Sequence, residues 1–140
     1  MVEEEKREII LENYQHPFNY KDEDNKDYIK VNSRNQSCID NLDIYLKIED
    51  NIIKDIYFKG EACAVSTSST SILLKNIIGK KISEAKDYIN NFLSMVNEEE
   101  YDEDKLNEAI AYDKIYKQGN SKGCAILPYN SIIKVLNEYN

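Results

Sequence analysis

Apolar and polar residues alternate between positions 42 and 48. The apolar members share one parity: Leu42, Ile44, Leu46 and Ile48. Such alternation predicts a half-buried strand. A second strand is expected over 52–58, with its apolar parity formed by Ile52, Ile56 and Phe58. Asp50 and Asn51 are typical turn residues. The two segments therefore predict an antiparallel hairpin whose pattern ends at Gly60.

Helical spacing of apolar residues recurs in several other segments. A first helix over 3–14 ends before Pro17, because the residue before a proline avoids the helical region. A second helix begins close to Cys63 and stops at Gly79, and a third spans 82–96. The stripe of the C-terminal helix consists of Ile132, Val135, Leu136 and Tyr139. Pro128 fits that helix only in its first turn.

The remaining segments are polar or short. Residues 19–36 are expected to form an ordered loop or a mobile arm, and the acidic run Glu98–Asp104 a solvated loop or helix end. A short helix is expected over 106–112. Strands followed by helices predict an α+β fold, in which helices pack on one face of a small antiparallel sheet. Without a linker or repeat, residues 1–140 are expected to form a single domain.

The composition and charge of the chain disfavour several classes of protein. Hydrophobic residues make up 41% and charged residues 31% of the chain, as is usual for soluble globular proteins. The net charge of −8 disfavours nucleic acid as a partner, because phosphate backbones repel an acidic surface. The acidic start does not resemble a signal peptide, and no stretch approaches the roughly 20 apolar residues that cross a bilayer. We therefore expect a cytoplasmic protein that does not enter a membrane.

Three cysteines carry the candidate chemistry. In a reducing cytosol they are not expected to form disulfides. Cys38 precedes the first predicted strand, Cys63 lies between the second strand and a helix, and Cys124 lies just ahead of the last helix. Unrelated buried cysteines would also explain the count. Positions at the ends of elements, however, allow three distant thiols to converge on one site.

Asp40 adds a carboxylate to these thiols. It lies two residues after Cys38, so both side chains point to the same side of an extended segment. Three thiolates and a carboxylate suit a tetrahedral zinc ion. Thiolates select zinc, copper(I) or iron–sulfur species over magnesium and calcium, so the residues alone leave those three open.

Four motifs resemble the SufU/IscU family of iron–sulfur cluster assembly proteins. The segments 60–66 (GEACAVS) and 68–71 (SSTS) resemble the second-cysteine motif of that family, and 124–127 (CAIL) resembles the third. The triplet 38–40 (CID) occupies the place of the family's Cys-Gly-Asp motif. The segment 9–14 (IILENY), with Pro17 and Asn19, is similar to the N-terminal helix and its Pro-x-Asn turn. The resemblance covers nearly the whole chain and implies a sheet of about three strands.

The residue before the third cysteine indicates which type within the family the chain resembles. IscU-type proteins carry a histidine directly before it, whereas Gly123 stands here and the lone His16 lies in the N-terminal turn. The chain is therefore similar to the SufU type, whose longer insertion corresponds to residues 97–111. This resemblance implies zinc held by four ligands: Cys38, Asp40, Cys63 and Cys124.

The resemblance also implies a reaction and its partners. Cys38 would accept persulfide sulfur from a pyridoxal-phosphate-dependent cysteine desulfurase of the SufS kind, and a downstream iron–sulfur scaffold would receive it. Nothing in this chain resembles a pyridoxal phosphate site. Whether such a sulfurtransferase-like partner acts as an enzyme in its own right stays open.

Two further readings remain. The same cysteines would suit a scaffold that assembles a [2Fe–2S] cluster, although the missing histidine favours the zinc reading. A divergent adaptor, in which zinc only stabilises the fold, is favoured by three departures from the family pattern: Ile39 and Ala62 replace glycines, and Ser121, beside Lys122, stands where SufU-type proteins carry an arginine.

Overall fold

The computed structural model describes residues 1–35 and 39–139. The elements, in chain order, are α1 (Glu3–Gln15), β1 (Ile29–Arg34), β2 (Asn41–Glu49), β3 (Ile52–Glu61), α2 (Ala64–Ile77), α3 (Ile82–Val96), three short 3-10 helices (Glu103–Lys105, Asn107–Tyr112 and Ile115–Lys117) and α4 (Gly119–Leu136). The sheet is antiparallel with strand order β1-β2-β3. The predicted α+β class and the sheet of about three strands are confirmed.

The predicted hairpin joins β2 and β3 through Asp50 and Asn51. Both turn residues have positive φ, 54° and 60°, as a two-residue turn of type I′ requires. The register shifts after Lys47, which pairs with Asp55, whereas Ile48 pairs with Ile53. This bulge turns Ile53 into the core, so the prediction that Ile52 lies on the buried parity is wrong.

Gly60 continues β3, which corrects the prediction that the strand pattern ends there. It pairs with Leu42 and has a φ of +117°, in the region that favours glycine. A Cβ at this position would lie 2.3 Å from the carbonyl oxygen of Asn41. The absence of a side chain thus lets β3 run beside Asn41 as far as Glu61.

The expected loop over 19–36 contains a strand that the pattern did not predict. β1 pairs with β2 from Ile29 opposite Leu46 to Arg34 opposite Asn41. Only Ile29 and Val31 give it an apolar parity, because the next inward residue is the buried Ser33. The ladder of β2, a tertiary contact, therefore stabilises this edge strand more than its own sequence does.

The outer face of the sheet is covered by the segment 20–28. Tyr45 and Tyr57, on the polar parity of their strands, are nearly fully buried and stack with ring centroids 4.7 Å apart. Tyr28 packs edge-on against Tyr57. The hydroxyl of Tyr45 donates to Asp24, and that of Tyr57 to the carbonyl of Glu23. The half-buried strand expected at 42–48 is thus buried on both faces in its middle.

The inner face of the sheet packs against helices. The buried strand residues on this face are Leu42, Ile44, Leu46, Ile53, Ile56 and Phe58. Helices α2 and α3 have the predicted bounds to within one residue, and α2 ends before Gly79, which has a φ of +76°. Over the described residues, no helix combines the length and apolar character needed to span a bilayer.

Helix α4 starts earlier than the sequence pattern predicts. It begins at Gly119, so Cys124 lies inside the helix and not ahead of it. Pro128 is also an interior residue, which corrects the prediction that it falls in the first turn. A helix interior tolerates a proline when other donors satisfy the carbonyl that the missing N–H leaves free.

Candidate metal centre

Three predicted ligands converge from three elements. Asp40 directly precedes β2, Cys63 directly precedes α2, and Cys124 lies in the second turn of α4. One ligand atom from each, a carboxylate oxygen and two sulfurs, lies within 4.8 Å of the others. Cys38, the predicted fourth ligand and sulfur acceptor, lies outside the described residues.

Cys63 caps the N-terminus of α2. Its backbone is extended, with φ −65° and ψ 168°, and its sulfur accepts a hydrogen bond from the backbone N–H of Ser66 at 3.4 Å. Short polar side chains normally fill this capping position, and here a thiol does so. The positive end of the helix therefore faces the sulfur.

Asp40 is held by two donors although it is 1% exposed. Its Oδ1 accepts from the backbone N–H of Cys63 at 2.8 Å, and its Oδ2 accepts from the hydroxyl of Ser66. Burial opposes the charge, but these hydrogen bonds outweigh it and lower the pKa of the carboxyl group. Asp40 is therefore ionised at neutral pH, and its Oδ2 lies 3.8 Å from the sulfur of Cys63.

Cys124 is also buried, with 6% of its surface exposed. Burial, together with the neighbouring Cys63 and Asp40, raises the pKa of its thiol to about 12. The side-chain amide of Asn35 donates to its sulfur at 3.7 Å. At neutral pH this thiol is protonated unless a cation stabilises the thiolate, as a coordinated metal does.

The donor set and its spacing fit zinc. In a tetrahedral site with Zn–S bonds of about 2.3 Å, neighbouring ligand atoms lie about 3.8 Å apart. The observed separations of 3.8 Å and at most 4.8 Å need only small side-chain movements to reach that value. Two soft sulfurs and one carboxylate disfavour magnesium and calcium, which prefer oxygen ligands. They leave one position of a tetrahedron for a further ligand.

The structure also describes the positions at which the sequence departs from the family pattern, and the lone histidine. Ile39, at the family's glycine position, is 73% exposed next to Asp40. Ala62 is half-buried, as are Ser121 and Lys122 in the first turn of α4. His16 is exposed at the end of α1, in line with its prediction as a turn residue.

Ser66 is a site residue that the sequence pattern did not single out. The small residues of the run 66–71 by themselves predict only that the helix can closely approach the metal loop. Ser66 is instead fully buried among the three ligands and contacts each of them. The available signal was its spacing, because the third residue after an N-cap faces the capping side chain.

Pro128 explains a second contact of this serine. A helix normally satisfies a carbonyl with the N–H four residues later, and proline at position 128 removes that donor from the carbonyl of Cys124. The hydroxyl of Ser66 lies 3.2 Å from this carbonyl oxygen. One turn further, the hydroxyl of Ser69 donates to the carbonyl of Ala125 at 2.6 Å. Two serines of α2 thus face carbonyls of α4 as possible donors.

Comparisons with known proteins agree with this architecture. A family model described as the NifU-like N-terminal domain matches residues 5–125. The chain is 33% identical over 103 residues to the iron–sulfur cluster assembly scaffold protein IscU of Thermotoga maritima, covering 74% of this chain and 72% of the relative. It is 31% identical over 129 residues to the zinc-dependent sulfurtransferase SufU of Bacillus subtilis, covering 91% of this chain and 86% of the relative.

A solved structure shows the same fold. It is described as an iron–sulfur cluster assembly scaffold protein for the SUF system, from Fervidobacterium islandicum. The TM-score is 0.82 at 26% identity, and the match covers 92% of this chain and 94% of the other. The predicted resemblance to the SufU/IscU family is thereby confirmed.

Proposed function

Because the chain belongs to the NifU-like N-terminal domain family, that of the SufU and IscU iron–sulfur cluster assembly proteins, we propose that it is a zinc-dependent sulfur acceptor in that assembly. The observation that carries the proposal is the convergence of two thiols and an ionised carboxylate within 4.8 Å. Cys38 would complete the ligand set. Two consecutive Cα steps span at most about 7 Å, so position 38 is within reach of a metal held by Asp40.

We assign two of the cysteines as fixed metal ligands and the third as the sulfur acceptor. Cys63 is fixed by the start of α2 and Cys124 by the interior of α4, whereas Cys38 belongs to the connection between β1 and β2. A ligand in a connecting loop exchanges at less structural cost than one in a helix. When bound, zinc supplies a charge that keeps its thiol ligands deprotonated at neutral pH.

The proposed transfer is redox-neutral. The thiolate of Cys38 attacks the terminal sulfur of a persulfide on the donor enzyme. A new S–S bond forms on Cys38 while the donor's S–S bond breaks, and the donor cysteine leaves as a thiolate. Asp40 acts as a ligand and not as an acid or base, because its lowered pKa leaves it no proton to donate and makes it a weak base.

The partners follow from this chemistry. The donor is a cysteine desulfurase that supplies its own pyridoxal phosphate, and a SufS-like enzyme is the proposed form of it. The recipient is a downstream iron–sulfur scaffold. The net charge of −8 suits a donor with a basic docking surface.

A scaffold function is the second candidate. It is favoured by the likeness to the scaffold protein IscU of Thermotoga maritima. Thiolates that hold zinc can also hold a [2Fe–2S] cluster, so the two functions use the same residues. They differ in what is bound, and in whether Cys38 carries sulfur before any iron arrives.

Two measurements test the proposal. Protein purified without chelator should contain about one zinc per chain with tetrahedral coordination and should lack the visible absorbance of an iron–sulfur cluster. Mixed with a SufS-like desulfurase and free cysteine, it should carry the persulfide on Cys38, as mapped by mass spectrometry.

The matched variant for this test is Cys38→Ser. It should remain folded but lose stimulation of the desulfurase. Persulfide on Cys124, with stimulation retained by the variant, would contradict the acceptor assignment and favour the scaffold. A wild-type chain that binds zinc but stimulates no desulfurase would support a zinc-stabilised adaptor instead.

A further inference from the structure

One buried hydroxyl touches all three ligands of the described metal centre. Ser66 is 0% exposed and lies in the first turn of α2. Its oxygen is a hydrogen-bond partner of Asp40 Oδ2, lies 3.6 Å from the sulfur of Cys63 and lies 3.2 Å from the carbonyl oxygen of Cys124. Its backbone N–H also donates to the sulfur of Cys63.

The hydroxyl of Ser66 faces both hydrogen-bond acceptors and a hydrogen-bond donor. A serine has one O–H donor and two acceptor lone pairs. Asp40 and the Cys124 carbonyl are acceptors and compete for the proton, whereas the Cys63 thiol donates to the oxygen. Pro128 has removed the usual helical donor of the Cys124 carbonyl, and this hydroxyl lies within reach of that carbonyl. Ser66 therefore connects the start of α2 with both the loop before β2 and the interior of α4.

We propose that Ser66 is a positioning residue of the metal centre, whose hydroxyl holds Asp40, Cys63 and Cys124 at metal-binding spacing before an ion arrives. The inference rests on the proposed function, since it requires that this cluster bind a metal. Groups that orient metal ligands raise affinity because the ligands need not be ordered at the moment of binding.

A neighbouring serine supplies the matched control. Ser69 lies one turn later on α2, is also 0% exposed, and donates to the carbonyl of Ala125 at 2.6 Å. Loss of either hydroxyl removes one buried hydrogen bond to a carbonyl of α4. Loss of Ser66 alone also removes the contacts with Asp40 and Cys63, so a difference between the two variants reports on ligand positioning.

The test measures zinc affinity of the full chain by competition with a chromophoric chelator. Ser66→Ala should weaken zinc binding by about 10- to 100-fold, the usual effect of losing a group that orients a ligand. Ser69→Ala should leave the affinity unchanged, and Ser66→Thr, which keeps a hydroxyl, should retain it. With Co²⁺ as the probe, the ligand-field absorbance of Ser66→Ala should differ from that of the wild type, and that of Ser69→Ala should not.

Thermal unfolding of the zinc-free proteins controls for folding. Both alanine variants should stay folded at the temperature of the zinc titration, and Ser66→Ala should unfold first on heating because it also removes a donor from the buried Asp40. If Ser66→Ala and Ser69→Ala bind zinc equally well, Ser66 is merely structural and the inference is overturned. If the wild type itself binds no zinc, the proposed function fails, which is a distinct result.

A substitution at Pro128 tests the same inference independently. Pro128→Ala restores an N–H opposite the carbonyl of Cys124. Introduced into Ser66→Ala, it should recover part of the lost zinc affinity, because the carbonyl then has a donor again. A double variant that binds zinc no better than Ser66→Ala would overturn the part of the inference that concerns Cys124.

Discussion

At the scale of single residues, Cys63 has two roles that substitution can separate. Its sulfur is a candidate ligand, and the same sulfur caps α2 by accepting from Ser66. Serine is among the best N-capping residues, but its hydroxyl is a poor replacement for a thiolate in a zinc site. A serine at position 63 therefore keeps the helix start and removes the metal ligand.

We expect Cys63→Ser to lower the melting temperature only in the presence of zinc. With chelator present, the variant and the wild type should unfold within a few degrees of each other, because both have a capped α2. With saturating zinc, the wild type alone should be stabilised, because a bound metal adds its binding free energy to folding. Thermal unfolding followed by circular dichroism, in chelator and in zinc, measures both. An equal loss in the two conditions would mean that the thiol acts through packing and not through a metal.

At the scale of elements, the metal centre depends on how β3 runs into α2. The strand ends at Glu61 and the helix starts at Ala64, so only Ala62 and Cys63 connect them. Gly60, opposite Leu42, allows β3 to approach the start of β2 closely, and Asp40 lies directly before that start. The approach of two strands thus sets the distance between a carboxylate and a thiol.

Gly60→Ala should therefore damage both stability and the site. The new Cβ would lie 2.3 Å from the carbonyl oxygen of Asn41, and alanine disfavours a φ of +117°. Strain of this kind costs about 1–3 kcal/mol, and movement of Asn41 would carry Asp40 away from Cys63. Denaturant unfolding and zinc titration measure the two effects.

Gly119→Ala is the control for this prediction. Its Cβ would meet no atom within 4 Å, so stability and zinc affinity should stay as in the wild type or rise slightly. A Gly60→Ala protein with unchanged zinc affinity would show that the approach of the strands does not set the site.

At the scale of the whole molecule, we propose that residues 1–140 form one domain. One buried core joins the inner face of the sheet to residues of α2, α3 and α4, and α1 packs against it through Ile9 and Ile10. The candidate ligands come from the sheet, α2 and α4, so a bound metal would connect these layers. Binding of an ion in that position should stabilise the folded chain as a unit.

Unfolding should accordingly be a single cooperative transition that shifts as a whole with zinc. Differential scanning calorimetry should give equal calorimetric and van't Hoff enthalpies. Removal of zinc by chelator should lower the transition temperature without splitting the peak. Two separate peaks, of which zinc moves only one, would contradict the single domain.

The sequence by itself determined the elements whose signals are local. Alternation over 42–48 and the Asp50–Asn51 turn placed the hairpin, and Gly79 marked the end of α2. Each of these depends on the preferences of neighbouring residues, which a sequence displays directly. The chemical kinds of ligand were also evident from the sequence, because it contains the thiols and the carboxylate whatever the fold.

Only the tertiary structure decided what distant segments do to one another. The strand β1 forms because its backbone pairs with that of β2. Ile53 takes the core position expected for Ile52 because the pairing of β2 with β3 contains a bulge. Pro128 lies inside α4 and removes the usual N–H donor from the carbonyl of Cys124. Ser66 of the neighbouring helix α2 faces that carbonyl. The meeting of Asp40, Cys63 and Cys124 depends on the same packing of sheet, α2 and α4. No local pattern encodes the contacts of the metal centre, since Cys63 lies 23 residues from Asp40 and Cys124 lies 58 residues from Ser66, and they become neighbours only when the core forms.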